Sequence, residues 1–278
     1  MDPRRFLPAL LLVLGLLPPR AAVQAPGAPP AGTPGEEGAA ALAARLAESG
    51  VKIDLERGLA SVPARVLITQ DLLEYLLVGP RGATHESMFL TDVAPSVLNV
   101  ALLALGVEKG TNARLEPIEP PPTEDELRAG ARRTNVIPPA GDGFLLYAAW
   151  REGEETYLFR TDDLVTNLAT GRSMRRHRWI YLGSRFARLR AAEEERFVAD
   201  LEGNLINIAF FYQGNTLLTA ALPQCEEQTI WVANSALLPP FESPVSLVFA
   251  RAPLDRLPPE WERALPVVPA TAEGEDGG

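Results

Sequence analysis

Thiols and imidazoles are scarce in this chain: 278 residues hold one cysteine, Cys225, and two histidines, His85 and His177. A lone cysteine excludes an intramolecular disulfide and any cysteine-built metal cluster. Two histidines outside an HExxH frame exclude that zinc chemistry and leave too few ligands for a His-rich site. Positive charge is short as well. Lys and Arg number 26 against 36 Asp and Glu, a formal net charge of −10, and an acidic chain repels phosphate backbones, so nucleic acid is not an expected partner. Long apolar runs are also missing. The stretch Phe6–Leu17 would span only about 18 Å as a helix, well short of the roughly 30 Å hydrocarbon core, so no stable transmembrane anchor is expected. No repeat of clear period is present, and no cofactor or metal is expected.

What stands at the N-terminus is an address. Arg4 and Arg5 precede the apolar run, Pro18-Pro19 follows it, and Val23-Gln24-Ala25 supplies small residues for cleavage. This is the order of a secretory signal peptide, residues 1–25. It predicts an exported protein, periplasmic or extracellular, and the absence of a nearby cysteine argues against lipid attachment. Cleavage would remove Arg4, Arg5, Arg20 and Asp2, taking the net charge from −10 to −12. Residues 26–38 are rich in Pro, Gly and Ala and read as a flexible, disordered linker. A short helix is expected over 39–50, ending at Gly50.

From Val51 the hydrophobic period changes to two. Val51, Ile53 and Leu55 alternate with Lys52, Asp54 and Glu56, and Arg57-Gly58 turns the chain into Leu59–Ile68, a pattern of paired strands. Leu72–Val78 and Met88–Leu90 read as further strands. Pro95 opens a helix over 95–105 whose apolar residues cover nearly the whole circumference, so it is expected to be buried against a sheet. Residues 116–140 are broken by prolines and read as an exposed excursion, with Thr123 and Glu126 at capping-box spacing for a short helix. Phe144–Trp150 and Thr156–Arg160 flank a polar turn and predict a hairpin. Phe197–Leu201, Leu205–Phe211, Thr229–Val232 and Val245–Phe249 read as β-rich, and 256–278 as a flexible tail. The expected class is α+β: a mainly antiparallel sheet or pair of sheets over 51–255, with the 95–105 helix packed on one face.

Three groups of residues carry candidate chemistry. His85-Glu86-Ser87 holds base, acid and nucleophile types in succession, but neighbours on a strand point to opposite faces, so a site there needs distant partners. With Asp92, His85 and Glu86 are the catalytic candidates. Their structural alternative has Glu86 and Ser87 bonding the turn and Asp92 holding the N-terminus of the following helix. Arg172, Arg175, Arg176 and Arg178 beside Trp179 have the forked donors and ring that bind an anionic polymer or partner; the alternative is a solvated hairpin tip. Asp162-Asp163, Glu193-Glu194-Glu195 and Asp92 offer carboxylates, without the spacing of a calcium loop.

Several short motifs occur together. Leu73–Val78, His85–Ser96 and Ala101–Gly106, then Trp179–Phe186 and Ala199–Ile206, resemble in content and order the YdjY-domain family of bacterial proteins, over about Val51 to Arg251. The resemblance implies an exported or envelope-associated protein and brings no assigned activity. Some relatives are described as ferredoxin-like, but a cubane cluster needs several thiolates, and Cys225 stands alone. The proline-rich 116–140 looks like an addition to the family pattern. The sequence therefore points to a non-enzymatic envelope module that binds a protein partner or anionic polymer. An extracytoplasmic hydrolase with a site near His85 and Asp92 is the alternative.

Overall fold

The computed structural model describes residues 34–188, 190 and 194–269; the expected signal peptide, most of the linker and residues 270–278 lie outside the described residues. Helix α1 spans Pro34–Glu48, so it begins within the stretch read as linker. Proline is tolerated in a first helical turn, and the two glycines, Gly35 and Gly38, weaken a helix without ending it. The stop comes at Gly50, left-handed at φ 78°.

Strands β1 (Lys52–Asp54) and β2 (Leu59–Val66) form the hairpin that the alternation predicts, with Lys52 opposite Ser61. They are followed by β3 (Tyr75–Val78), β4 (Ser87–Leu90) and helix α2 (Pro95–Ala104). The proline-rich excursion is a two-stranded ribbon, β5 (Arg114–Pro117) on β6 (Thr134–Ile137), enclosing α3 (Glu124–Arg128). The Thr123–Glu126 capping box forms as expected. β7 (Gly143–Glu152) and β8 (Glu155–Arg160) make the expected hairpin. Next come β9 (Val165–Asn167), β10 (Arg172–Ser173), β11 (Trp179–Tyr181), β12 (Phe186–Ala187) and β13 (Arg196–Phe197). The chain continues through α4 (Val198–Glu202), β14 (Asn204–Asn207), β15 (Leu218–Thr219), β16 (Trp231–Ala233) and β17 (Pro244–Ala250), then α5 (Pro259–Arg263) and β18 (Val267–Val268).

Eight of these strands close into a barrel in the order β2-β17-β7-β11-β15-β14-β3-β4, with β4 returning to β2 through Val66 and Phe89. The α+β class holds. The sheet is mixed rather than simply antiparallel, because β3–β4 and β14–β15 pair in parallel. Closure satisfies both edges of each barrel strand, which an open sheet leaves as unpaired backbone. At the β7–β11 seam the backbones approach so closely that a Cβ at Gly143 would collide with the Trp179 carbonyl.

β7 explains why the C-terminal segment is ordered. Phe144, Leu146, Ala148 and Trp150 join the main core, while Leu145, Tyr147 and Ala149 face a second cluster with Leu257, Trp261 and Leu265. Residues 256–269, expected within a flexible tail, are thus the cover over the second face of β7, and β18 runs parallel to it. An uncovered face would leave those side chains in water at roughly 25 cal/mol per Å² of apolar surface.

Two further expectations are corrected. Phe197–Leu201, read as β-rich, is mostly α4, ended by Gly203 at φ 75°, whose N–H reaches Ala199 O at 2.8 Å. Helix α2 is apolar all round but buried on one side only: Leu98, Ala101 and Leu102 are in the core, whereas Val100 and Leu103 are about half exposed, at 46% and 50%. Tyr181 ties α2 to the barrel, its hydroxyl donating to Asn99 Oδ1 at 2.6 Å.

Candidate functional site

The catalytic candidates do not converge. His85 and Glu86 lie in a single 3-10 turn, Thr84–Glu86. The His85 side chain is 78% exposed, with Nε2 3.4 Å from Glu86 Oε1. Ser87, the first residue of β4, points into the protein and donates to Phe89 O at 3.0 Å, whereas His85 lies in the preceding turn and faces solvent, so the two do not meet. Asp92 is 77% exposed and 3.6 Å from Arg65. It borders a cleft of about 340 Å³ with Arg81 and Asp200, and His85 is not among the residues lining that cleft. Asp92 does not cap α2 either. Ser96 N–H donates instead to Asp200 Oδ1 at 2.8 Å. Glu86 faces Glu74, whose carboxyl is pushed above its ordinary range by burial, then by the charge and hydrogen bonding of Glu86.

The arginine cluster is dispersed by its own bonds. Arg176 makes a two-pronged pair with Asp163, at 3.0 and 2.6 Å. Arg178 donates to the backbone carbonyls of Gly143 and Arg251. Trp179 is fully buried in β11 and packs on His177, with ring centroids 5.0 Å apart. Only Arg172 and Arg175 remain exposed with no ionic partner for their side chains among the described residues. The stretch therefore lacks the continuous guanidinium edge that its spacing suggests.

Between those arginines His177 turns inward. Its Nδ1 stands 2.7 Å from Asp162 Oδ1 and 3.1 Å from Arg175 O; with two acceptors beside it, this nitrogen carries the proton. Arg160 forks onto the other Asp162 oxygen at 3.0 and 2.8 Å. Burial pushes the Asp162 carboxyl up, but the hydrogen bond from His177 and the charges around it prevail and hold it below its ordinary value. Asp162 and Asp163 are thereby saturated, and among the described residues no group of three or more metal-ligating side chains exists. Cys225 is fully buried and its thiol is pushed up to about 12, chiefly by burial, which keeps it unreactive.

A different cationic site is assembled from residues far apart in sequence. A cleft of about 220 Å³ at one end of β11 is lined by Lys109, Asn112, Ser184, Arg185, Tyr212 and Gln213 with two glycines and Leu182. The barrel holds its parts. Gly110 N–H donates to Tyr181 O at 2.8 Å, fixing the loop that carries Lys109. Gly183 and Ser184 are consecutive left-handed residues, at φ 66° and 53°, and they turn Arg185 out of β11. Serine rarely adopts that conformation; here its N–H is bonded to Thr216 O, and its hydroxyl donates to Asn215 O while accepting from Ala199 N–H. The hydroxyl is committed on both sides and is no nucleophile.

The cleft gathers positive charge. Several arginines here meet a carboxylate, as Arg57, Arg132, Arg160, Arg176 and Arg251 do. Among the described residues Lys109 Nζ meets only the Ser184 carbonyl, at 3.2 Å. Arg185 Nε meets the Asn215 amide oxygen at 2.8 Å, and Asn215 in turn binds Glu202 at 2.7 Å. Two cations therefore face one cleft without a direct carboxylate among the described residues, in a chain of net charge −10. No periodicity announces this site, since its residues come from three separate segments; the Gly-Ser pair after a β-run was the one local signal available. Comparison with protein-family models, curated proteins and solved structures finds no match.

Proposed function

We propose that this protein is an exported bacterial envelope module, of the kind the YdjY-domain resemblance implies, that binds an anionic ligand in the Lys109–Arg185 cleft. The observation that carries this reading is the pair of cations without a direct carboxylate partner among the described residues, brought to one end of the barrel. Forked and point-charge donors side by side favour a carboxylate or phosphate group, and attraction of this kind weakens with salt. The order of residues 1–25 supports export. A hydrolytic role finds less support, because Asp92 borders its cleft without His85 and Ser87 is turned into the protein.

The test is calorimetric titration of the mature protein with inorganic phosphate and with a carboxylated polymer, at low and high salt. Binding lost in a Lys109→Gln, Arg185→Gln double variant and kept in Arg172→Ser, Arg175→Ser supports the cleft. Equal binding by parent and cleft variant removes it. Cell fractionation with N-terminal sequencing tests export, a mature start near Pro26 being the expected result and a full-length cytoplasmic product the contrary one.

A further inference from the structure

We infer that the ligand of the Lys109–Arg185 cleft is an acidic saccharide, a pyranose bearing a carboxylate; this rests on the anion-binding reading above and specifies it. The argument comes from what else lines the cleft. Apart from Leu182, which is buried, its only large apolar surface is the ring of Tyr212, 43% exposed. A ligand with an apolar or multi-ring body would find nothing to cover it. The remaining groups are suited to hydroxyls: the exposed Gln213 amide makes no hydrogen bond among the described residues, and Asn112 uses one amide hydrogen on Phe211 O at 2.8 Å, leaving the other. A pyranose offers one C–H face to an aromatic ring and a rim of hydroxyls to amides, and its carboxylate accepts from the two cations. The volume of about 220 Å³ is small for a ligand pocket and suits one sugar ring rather than an enclosed chain. The half-open form of the site lets that ring be the end or a side residue of an envelope polymer.

The test titrates the mature protein with D-glucuronate, glucose, acetate and inorganic phosphate. The expected result is that glucuronate binds roughly tenfold or more tightly than acetate, since ring and hydroxyl contacts add to the charge contact, and that glucose binds undetectably. Tyr212→Ala should weaken glucuronate by about threefold to tenfold, the range of one ring contact, with Tyr212→Phe restoring it. Tyr212 is exposed, and an unchanged melting temperature for both variants separates binding from folding. If acetate or phosphate binds as tightly as glucuronate and Tyr212→Ala changes neither, the saccharide is overturned while the anion site stands. If no anion binds the parent, both readings fall.

Discussion

His177 donates its Nδ1–H to Asp162 at 2.7 Å in a place where neither side chain meets bulk water: the carboxylate is fully buried and the imidazole is 8% exposed. With Arg160 at 12% exposure, the three form a buried ionic unit linking the 3-10 turn after β8 to the segment before β11. Removing one partner of such a unit strands the others. Asp162→Asn should therefore cost about 3–5 kcal/mol at pH 7, measured by urea unfolding. The depressed carboxyl sets the pH dependence. Its contribution is present above the unfolded value of about 3.9 and is lost as pH falls through the lower folded value. The gap between parent and variant should shrink at pH 3, and a gap that stays constant would contradict the assignment.

Glu74, beside Glu86, gives the opposite sign. A carboxyl raised in the folded state imposes a penalty that is absent below the unfolded value of about 4.3 and complete above the folded one. Replacing Glu86 with Gln removes the neighbouring charge. The melting temperature should rise at pH 7 and match the parent below about pH 4. A decrease at pH 7 would mean that Glu86 is needed for a contact other than its repulsion of Glu74.

The cap of α2 separates two aspartates. Asp200→Ala should lose about 0.5–2 kcal/mol in denaturant unfolding, because the Ser96 N–H loses its acceptor, and Asp200→Asn should recover most of it. Asp92→Ala, at an exposed position with only a long contact to Arg65, should stay within about 0.5 kcal/mol of the parent. Equal losses for both alanine variants would place Asp92 at the helix end after all.

Leu102 and Leu103 are adjacent on the same helix and differ only in the face they occupy. Leu102→Ala removes fully buried atoms and should destabilise by about 2–5 kcal/mol. Leu103→Ala, at 50% exposure, should cost less than about 1 kcal/mol, since alanine also favours the helix. Similar midpoints for the two variants would show that α2 packs differently, or that another molecule covers its outer face in solution.

Much of the local structure was legible because it depends on neighbours in sequence. The β1–β2 alternation, the β7–β8 hairpin, Pro95 opening α2, and the Thr123–Glu126 box are all set within a few residues by side-chain period, fixed φ and short hydrogen bonds. α4 was missed because Val198, Ala199 and Leu201 suit a strand or a helical turn equally, and Gly203 with Asp200 tipped the balance. The C-terminal cover was missed because Leu257, Trp261 and Leu265 stand among prolines and charges, and only the second face of β7 gives them a surface to bury against.

The sequence by itself determined the class of the fold, the hairpins, the scarcity of thiols and imidazoles and the acidic balance, since composition and period are properties of the chain alone. Tertiary structure decided the rest. Barrel closure depends on Val66 meeting Phe89 and on parallel pairs that no periodicity specifies. The fate of the cations was likewise decided in space: Asp163 neutralised Arg176, backbone carbonyls took Arg178, and Lys109 and Arg185 were brought to one cleft with no direct carboxylate among the described residues. A charge's availability depends on what lies within a few ångströms of it, and for residues 76 positions apart only the fold sets that distance.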